Sequence, residues 1–264
     1  MFSNERQEQI VACLRENGTV PVAELAKRLY ASASTVRRDL TELESFGILH
    51  RVHGGAVLTE GSAFDAPARM RRVRQLPEKQ KIAELAKGFL AGSAAYFFDS
   101  SSTSAVLAQA LTGYPNVTVI TNGLGILNSL QSSGELTVIG CGGILRSPYG
   151  EFTGLPALQT IEQMNADVFF FSCGGLDETG ATEFSDANVA VKRAFYRRAR
   201  TRILLCDSTK LDKRFLYRSF KLSEPDWIIT DKKPSESYIK LLGERLIWDN
   251  CQISPAGIDI APKY

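Results

Sequence analysis

Two groups of residues have the types and spacing for recognition chemistry. Ser34, Thr35, Arg37, Arg38 and Thr41 put short hydroxyl donors and two guanidinium groups within eight positions. At the N-terminal end of a helix, such side chains can read the base edges of a DNA major groove. Arg51 and His53 follow closely, placed to reach phosphate or the minor groove. The second group is spread along the chain. It comprises Asp99, Ser100, Ser101, Ser102 and Thr103, then Thr121 and Asn122, then Gly142 and Gly143, and finally Lys192, Asp207 and Lys210. Most of these directly follow apolar runs. Hydroxyls and free backbone N–H groups at a helix start, with an ammonium nearby, form a cradle for a small anion such as a phosphate.

The elements that must carry the first group can be derived from periodicity. Ile10 and Leu14 suit a first helix over about 4–16, stopped by Asn17-Gly18. Val22, Leu25, Ala26 and Leu29 make one face of a second, short helix. Ser32 or Ser34 can cap a third, because a hydroxyl accepts from unpaired N–H groups at a helix start. Val36, Leu40 and Leu43 then face inward, leaving Ser34, Arg38, Thr41 and Ser45 outward. Gly47 ends this helix, residues 48–52 read as a strand, and Gly54-Gly55 as a turn or strand end. Three helices and a basic hairpin agree on a winged helix-turn-helix over 1–58. A solvated helical bundle is the plainer alternative. Residues 1–58 hold seven Lys and Arg against seven Asp and Glu, so affinity for duplex must rest on charge asymmetry and on a second copy of the chain.

The second group requires a different scaffold. Residues 59–77 read as a linker, broken by Gly61, Pro67 and Pro77 and basic at Arg69–Arg74. Beyond it, helices and continuous apolar strands alternate. Strands are expected at about 94–98, 117–121, 136–141, 168–172, 202–206, 226–230 and 246–248. Helices are expected at 78–91, 102–111, 124–131, 155–164, 187–200 and 235–242. Continuous apolar strands are buried on both faces, as in a parallel sheet covered by helices, so 78–250 is predicted as a doubly wound α/β domain. In such sheets ligands bind beyond the carboxyl ends of the strands, where the second group lies. Residues 251–264 read as a tail.

The run Ser34-Thr35-Val36-Arg37-Arg38-Asp39-Leu40, with His53-Gly54-Gly55-Ala56 after it, closely resembles the DeoR family of bacterial transcription regulators. Pro77-Glu78-Lys79, Asp99 to Thr103, Thr121-Asn122, Gly142-Gly143, Val191-Lys192-Arg193 and Asp207 to Lys210 extend the resemblance through about residue 232. It implies an N-terminal DNA-binding domain and a C-terminal sensor with a fold like ribose-phosphate isomerases and CoA-transferases. It further implies a phosphorylated sugar effector, with phosphate at Ser100 to Thr103 and with Lys192, Asp207 and Lys210 at the sugar or its phosphate. Repression is the family's usual mode, and binding without catalysis its usual sensor activity.

Composition narrows the field. The chain has 264 residues, 44% hydrophobic and 23% charged, with a formal net charge of +2, which is ordinary for a globular protein of one small and one medium domain. No apolar window reaches membrane-spanning length, and Met1 to Arg6 lacks a signal peptide's apolar core, which points to the cytoplasm. Cys13, Cys141, Cys173, Cys206 and Cys251 form no metal-binding or disulfide pattern. The only histidines, His50 and His53, lie in the expected wing, so imidazole metal sites and Ser-His catalysis are excluded beyond it. No cofactor, metal or catalytic residue is expected. The expected partners are an operator duplex, a phosphorylated sugar and other copies of the chain. An isomerase-like enzyme with an appended DNA-binding domain is the alternative, with Glu183, Asp186 and Asp207 as candidate carboxylates. A purely architectural DNA-binding protein would leave the strand-end residues without a use.

Overall fold

The computed structural model describes residues 3–45, 49–52, 54–58 and 68–249, which divide into two compact units, 1–74 and 75–264. Gly47, His53, residues 59–67, Cys251 and the expected tail lie outside the described residues.

The first unit contains α1 (Ser3–Asn17), β1 (Thr19–Pro21), α2 (Val22–Arg28), α3 (Ala33–Ser45), β2 (Leu49–Val52), β3 (Gly55–Leu58) and α4 (Ala68–Val73). Ser32 begins α3 as the sequence suggests: its Oγ accepts from Thr35 N at 3.1 Å, and its carbonyl accepts from Val36 N. Ile10, Leu14, Leu25, Val36, Leu40, Leu43, Leu49 and Ala56 share one sealed core. β2 and β3 form an antiparallel hairpin, and β1 adds to its far edge. Asp39 is buried in the interface between helices, where both carboxylate oxygens accept from Arg6 of α1 at 2.5 and 3.1 Å. Tyr30, in the turn before α3, has a left-handed φ of 48°. Part of the segment read as a linker is helical. Ala68 to Arg72 are good helix formers, and α4 lies against α1.

The second unit begins with α5 (Leu76–Ala86), β4 (Ala95–Phe98), α6 (Ser102–Ala108), β5 (Thr118–Thr121), α7 (Leu124–Leu130) and β6 (Thr137–Gly140). It continues with β7 (Ile144–Arg146), β8 (Glu151–Thr153), α8 (Leu155–Glu162), β9 (Ala166–Phe171), β10 (Gly175–Asp177) and β11 (Gly180–Glu183). α9 (Asp186–Arg198), β12 (Ala199–Leu205), β13 (Tyr217–Lys221), β14 (Trp227–Ile229), α10 (Glu236–Leu242) and β15 (Leu246–Ile247) complete it. Seven strands form one parallel sheet in the order β15-β14-β12-β9-β4-β5-β6. These are the seven expected from the apolar runs.

Alternate residues serve opposite faces. Phe97, Phe169 and Phe171 pack with α8 and α9, while Tyr96, Phe98 and Phe170 pack with α5 and α6. The sheet is therefore covered on both sides, which is why its strands lack polar alternation. The chain order reverses between β4 and β9, so their carboxyl ends flank a topological switch point. Two small antiparallel units were not foreseen: the hairpin β7–β8 and the sheet β10-β11-β13. Helix α9 also ends sooner than expected, because Ala199 already pairs with Ala166 as the start of β12. Phe169 is fully buried, with ring centroids 4.7 Å from Phe171 and 5.3 Å from Phe195. Phe169→Ala should cost about 3–5 kcal/mol, read as a lower urea midpoint for the second unit.

Candidate effector site and nucleic-acid interface

On the first unit, Ser34, Arg37, Arg38, Thr41 and Ser45 are exposed on α3, and Thr35 is half-buried, while Val36, Leu40 and Leu43 are buried beneath them. The structure thus brings the expected reading residues onto the solvent side of one helix. Arg51 is placed differently from a free phosphate ligand. Its Nε donates to Glu44 Oε2 at 2.6 Å, its Nη1 donates to Thr41 Oγ1 at 3.1 Å, and its main-chain N–H donates to Glu44 Oε1 at 2.8 Å. Arg51 therefore fastens the hairpin to α3.

On the second unit, the switch point gathers charged residues from four elements. Asp99 follows β4 and is buried. Its Oδ1 accepts from Ser104 Oγ at 2.6 Å and from Ser101 N at 3.2 Å, and its Oδ2 accepts from Ser172 N at 3.1 Å. Lys192 Nζ lies 3.1 Å from Asp99 Oδ2, donates to the Ser172 carbonyl at 2.7 Å and is paired with Glu183. Ser172, which follows β9, also accepts through its hydroxyl from Lys210 Nζ at 2.8 Å. Lys210 lies 3.5 Å from Asp207 Oδ2, and Asp207 Oδ1 accepts from Thr209 Oγ1 at 2.5 Å. Asp99, Lys192, Lys210 and Asp207 are thus joined through Ser172.

Charge states follow from this packing. Burial alone would push the Asp99 carboxyl up, but Lys192 and the Ser101, Ser104 and Ser172 hydrogen bonds hold it below its ordinary range. Glu183 is pushed up by burial against the pull of Lys192. Burial works to lower Lys192, yet Glu183 and Asp99 raise it on balance, so it stays an ammonium. Asp207 is likewise pushed up by burial and brought below its ordinary value by Lys210, Thr209 and Lys79.

The remaining expected residues divide. Ser100 Oγ donates to Glu151 at 3.0 Å, Ser101 caps α6 by accepting from Ser104 N at 3.1 Å, Ser102 is half-buried, and Thr103 is buried. Thr121 Oγ1 accepts from Gly123 N at 3.0 Å, and Asn122 Nδ2 donates to the Phe152 carbonyl at 3.1 Å. Gly142 and Gly143 are exposed. Gly143 has a structural reason to be glycine, because a Cβ there would meet Thr153 O at 2.5 Å. Of the carboxylates considered for catalysis, Glu183 and Asp207 are ion-paired, whereas Asp186 is exposed and accepts from Ala187 N at 2.7 Å. Ser172, Glu151 and Asn188 were not singled out from the sequence. A serine at the end of the most apolar strand was the one legible signal. Glu151 and Asn188 gave none, because one sits on an unforeseen hairpin and the other reads as a helix start.

Lys192 is thus an internal counter-ion for two buried carboxylates. Lys192→Met should destabilise the second unit by about 3–5 kcal/mol, since a buried charge loses its partner. The sign with pH follows. In the wild type the depressed Asp99 contributes stability that is lost only as pH falls through its low folded value. In the variant the folded Asp99 value rises above its unfolded one and that of Glu183, already raised, rises further, so the deficit should be greatest near neutrality and narrow towards about pH 5. Thermal melts across that range would show this, and a deficit independent of pH would contradict the assignment.

Comparison with known proteins follows the two units. Residues 6–61 match the DeoR-like helix-turn-helix domain, and residues 74–232 match the DeoR C terminal sensor domain. Among curated relatives, the HTH-type transcriptional regulator GolR of Listeria innocua is 33% identical over 91% of this chain and 95% of its own. The glycerol-3-phosphate regulon repressor of Escherichia coli is 30% identical over 94% and 98%, and the L-fucose operon activator of Haemophilus influenzae is 31% identical over 87% and 92%. A solved D-ribose-5-phosphate isomerase in complex with phospho-erythronic acid covers 50% of this chain and 52% of its own at 15% identity, with a TM-score of 0.38. No helix among the described residues is long and apolar enough to cross a membrane. With both domains matched in order and relatives aligned over nearly their whole length, the chain belongs to the DeoR family of transcription regulators.

Proposed function

We propose that this regulator binds operator DNA as a homo-oligomer through Ser34, Thr35, Arg37, Arg38 and Thr41 of α3, and that a phosphorylated sugar or polyol held at the switch point controls that grip. The observation that carries the effector half is the convergence on Ser172, whose carbonyl and hydroxyl accept from Lys192 and Lys210 at the carboxyl ends of adjacent strands. Lys192 is consumed by Asp99 and Glu183, so its role is to fix the floor of the site. Lys210, about a fifth exposed and 3.5 Å from Asp207 Oδ2, is the ammonium that would meet a phosphate, together with the turn Ser100 to Thr103. Gly142 and Gly143 would approach the same ligand from the loop after β6. The relatives named for glycerol-3-phosphate and L-fucose regulation support a small polyhydroxylated effector, and the relatives named as repressors support repression. The site acts by binding and without turnover, in the cytoplasm where its DNA lies.

On the DNA side, a seven-to-seven charge balance makes the head a weak nonspecific binder, so two heads held together supply affinity. A change in the effector's occupancy moves the operator equilibrium only by its differential affinity for the two arrangements, about 5.5 kcal/mol for a near-complete switch. Two variants separate the functions. Arg38→Ala should weaken operator binding about tenfold to a hundredfold per head, measured by fluorescence anisotropy, with effector binding unchanged. Lys210→Ala should abolish the thermal shift given by sugar phosphates and leave operator binding intact. Loss of both properties in either folded variant would refute this division. Conversion of a sugar phosphate over many turnovers would replace the binding reading with an enzymatic one.

A further inference from the structure

The hairpin β7–β8 carries a buried carboxylate to the edge of the proposed effector site. Glu151 is 1% exposed. Its Oε2 accepts from Ser100 Oγ at 3.0 Å and from Asn188 Nδ2 at 2.6 Å, and its Oε1 accepts from Arg146 Nη1 at 3.0 Å. Ser100 belongs to the turn after β4, Asn188 to the first turn of α9, and Arg146 to the hairpin itself. Asn122, after β5, adjoins the same cluster. Its carbonyl accepts from Phe152 N at 2.8 Å, and the following Gly123 packs so close that a Cβ there would lie 2.9 Å from Ser100 Cα.

The two amides present the same chemistry. Asn188 must turn its NH2 group towards Glu151, because the Oε2 that it meets there accepts. Asn122 must turn its own towards the Phe152 carbonyl for the same reason. Their carbonyl oxygens, Asn122 Oδ1 and Asn188 Oδ1, then lack any hydrogen-bond partner among the described residues, as does Thr103 Oγ1. All three residues are at least nine-tenths buried. Buried acceptors left without a donor are costly and rare. Amide oxygens beside a buried carboxylate repel a phosphoryl group, and they fit ligand O–H groups, which donate. Hydroxyls donate; phosphate oxygens at neutral pH chiefly accept.

We infer that Asn122, Glu151 and Asn188 form a subsite that reads the hydroxyl groups of the effector, apart from the cationic part of the site that takes its phosphate. This inference rests on the effector reading above. It narrows the ligand to a compound with phosphate at one end and neighbouring hydroxyls at the other. Glu151 acts as the positioning residue that holds both Ser100 and Asn188, and the two asparagine oxygens make the contacts.

The test compares the full-length protein and its Asn188→Ala variant in thermal-shift and calorimetric titrations. The probes are inorganic phosphate, glycerol 3-phosphate and ribose 5-phosphate. The wild type should bind one of the two polyol phosphates more tightly than inorganic phosphate. In the variant that ligand should weaken by about tenfold or more, the scale expected for losing a buried hydrogen bond to a ligand hydroxyl, with inorganic phosphate unchanged. Should Asn188→Ala not fold, Asn188→Ser keeps a donor for Glu151 and should show the same selective loss. Equal weakening of all ligands would mark Asn188 as structural and overturn the inference, as would unchanged binding of the polyol phosphates. If the wild type binds inorganic phosphate but favours neither polyol phosphate, the hydroxyl subsite alone fails. If no probe binds at all, the effector reading falls and the subsite with it.

Discussion

The Lys192 ammonium, enclosed between Asp99 and Glu183 and bonded to the Ser172 carbonyl, is the interaction on which the sensor unit depends. Removing two carboxylates and an ammonium from water costs several kcal/mol per ion, and the cost is offset only when every lone pair finds a partner. Here they do. Ser101, Ser104 and Ser172 complete the shell of Asp99, so β4, α6, β9, β11 and α9 are fastened at one point. That point lies where the sheet reverses its strand order, at the carboxyl ends of β4 and β9.

The two units solve the problem of charge in opposite ways. The sensor encloses its charges in compensated pairs. The head keeps Arg37 and Arg38 exposed while burying Asp39 against Arg6. Consecutive residues of one motif therefore divide between partner and scaffold: the arginines face outward and the aspartate fixes the angle of α3 against α1. Arg51 belongs with the scaffold as well, because its contacts to Glu44 and Thr41 hold the hairpin at the end of that helix.

Much of this was legible in the sequence, for reasons specific to each element. Seven continuous apolar runs announced seven doubly covered strands, because burial on both faces erases alternation. Ser32 and Ser34 announced the start of α3, and Ser32 is the one whose hydroxyl accepts from Thr35 N. The polar strand ends announced a meeting point, and Asp99, Lys192, Asp207 and Lys210 do converge on Ser172. The hairpin β7–β8 and the sheet β10-β11-β13 were not legible. Their strands are three to five residues long, and Ile144 and Leu145 are exposed, so hydrophobic patterning carries no information about them. Glu151 was lost with its hairpin. The ion pairing of Lys192 was not legible for another reason: a lone lysine reads as a free cation until the carboxylates around it are placed, and Glu183 reaches it from a strand the sequence did not reveal.

The head's interior is closed by its own residues, from Ile10 and Leu14 through Leu40 and Leu43 to Leu49 and Ala56. A module that completes its packing internally meets a physical requirement for being grafted intact onto another sensor. The exposed surface of α3 and the strand ends of the second unit can then vary separately, neither inheritance constraining the other.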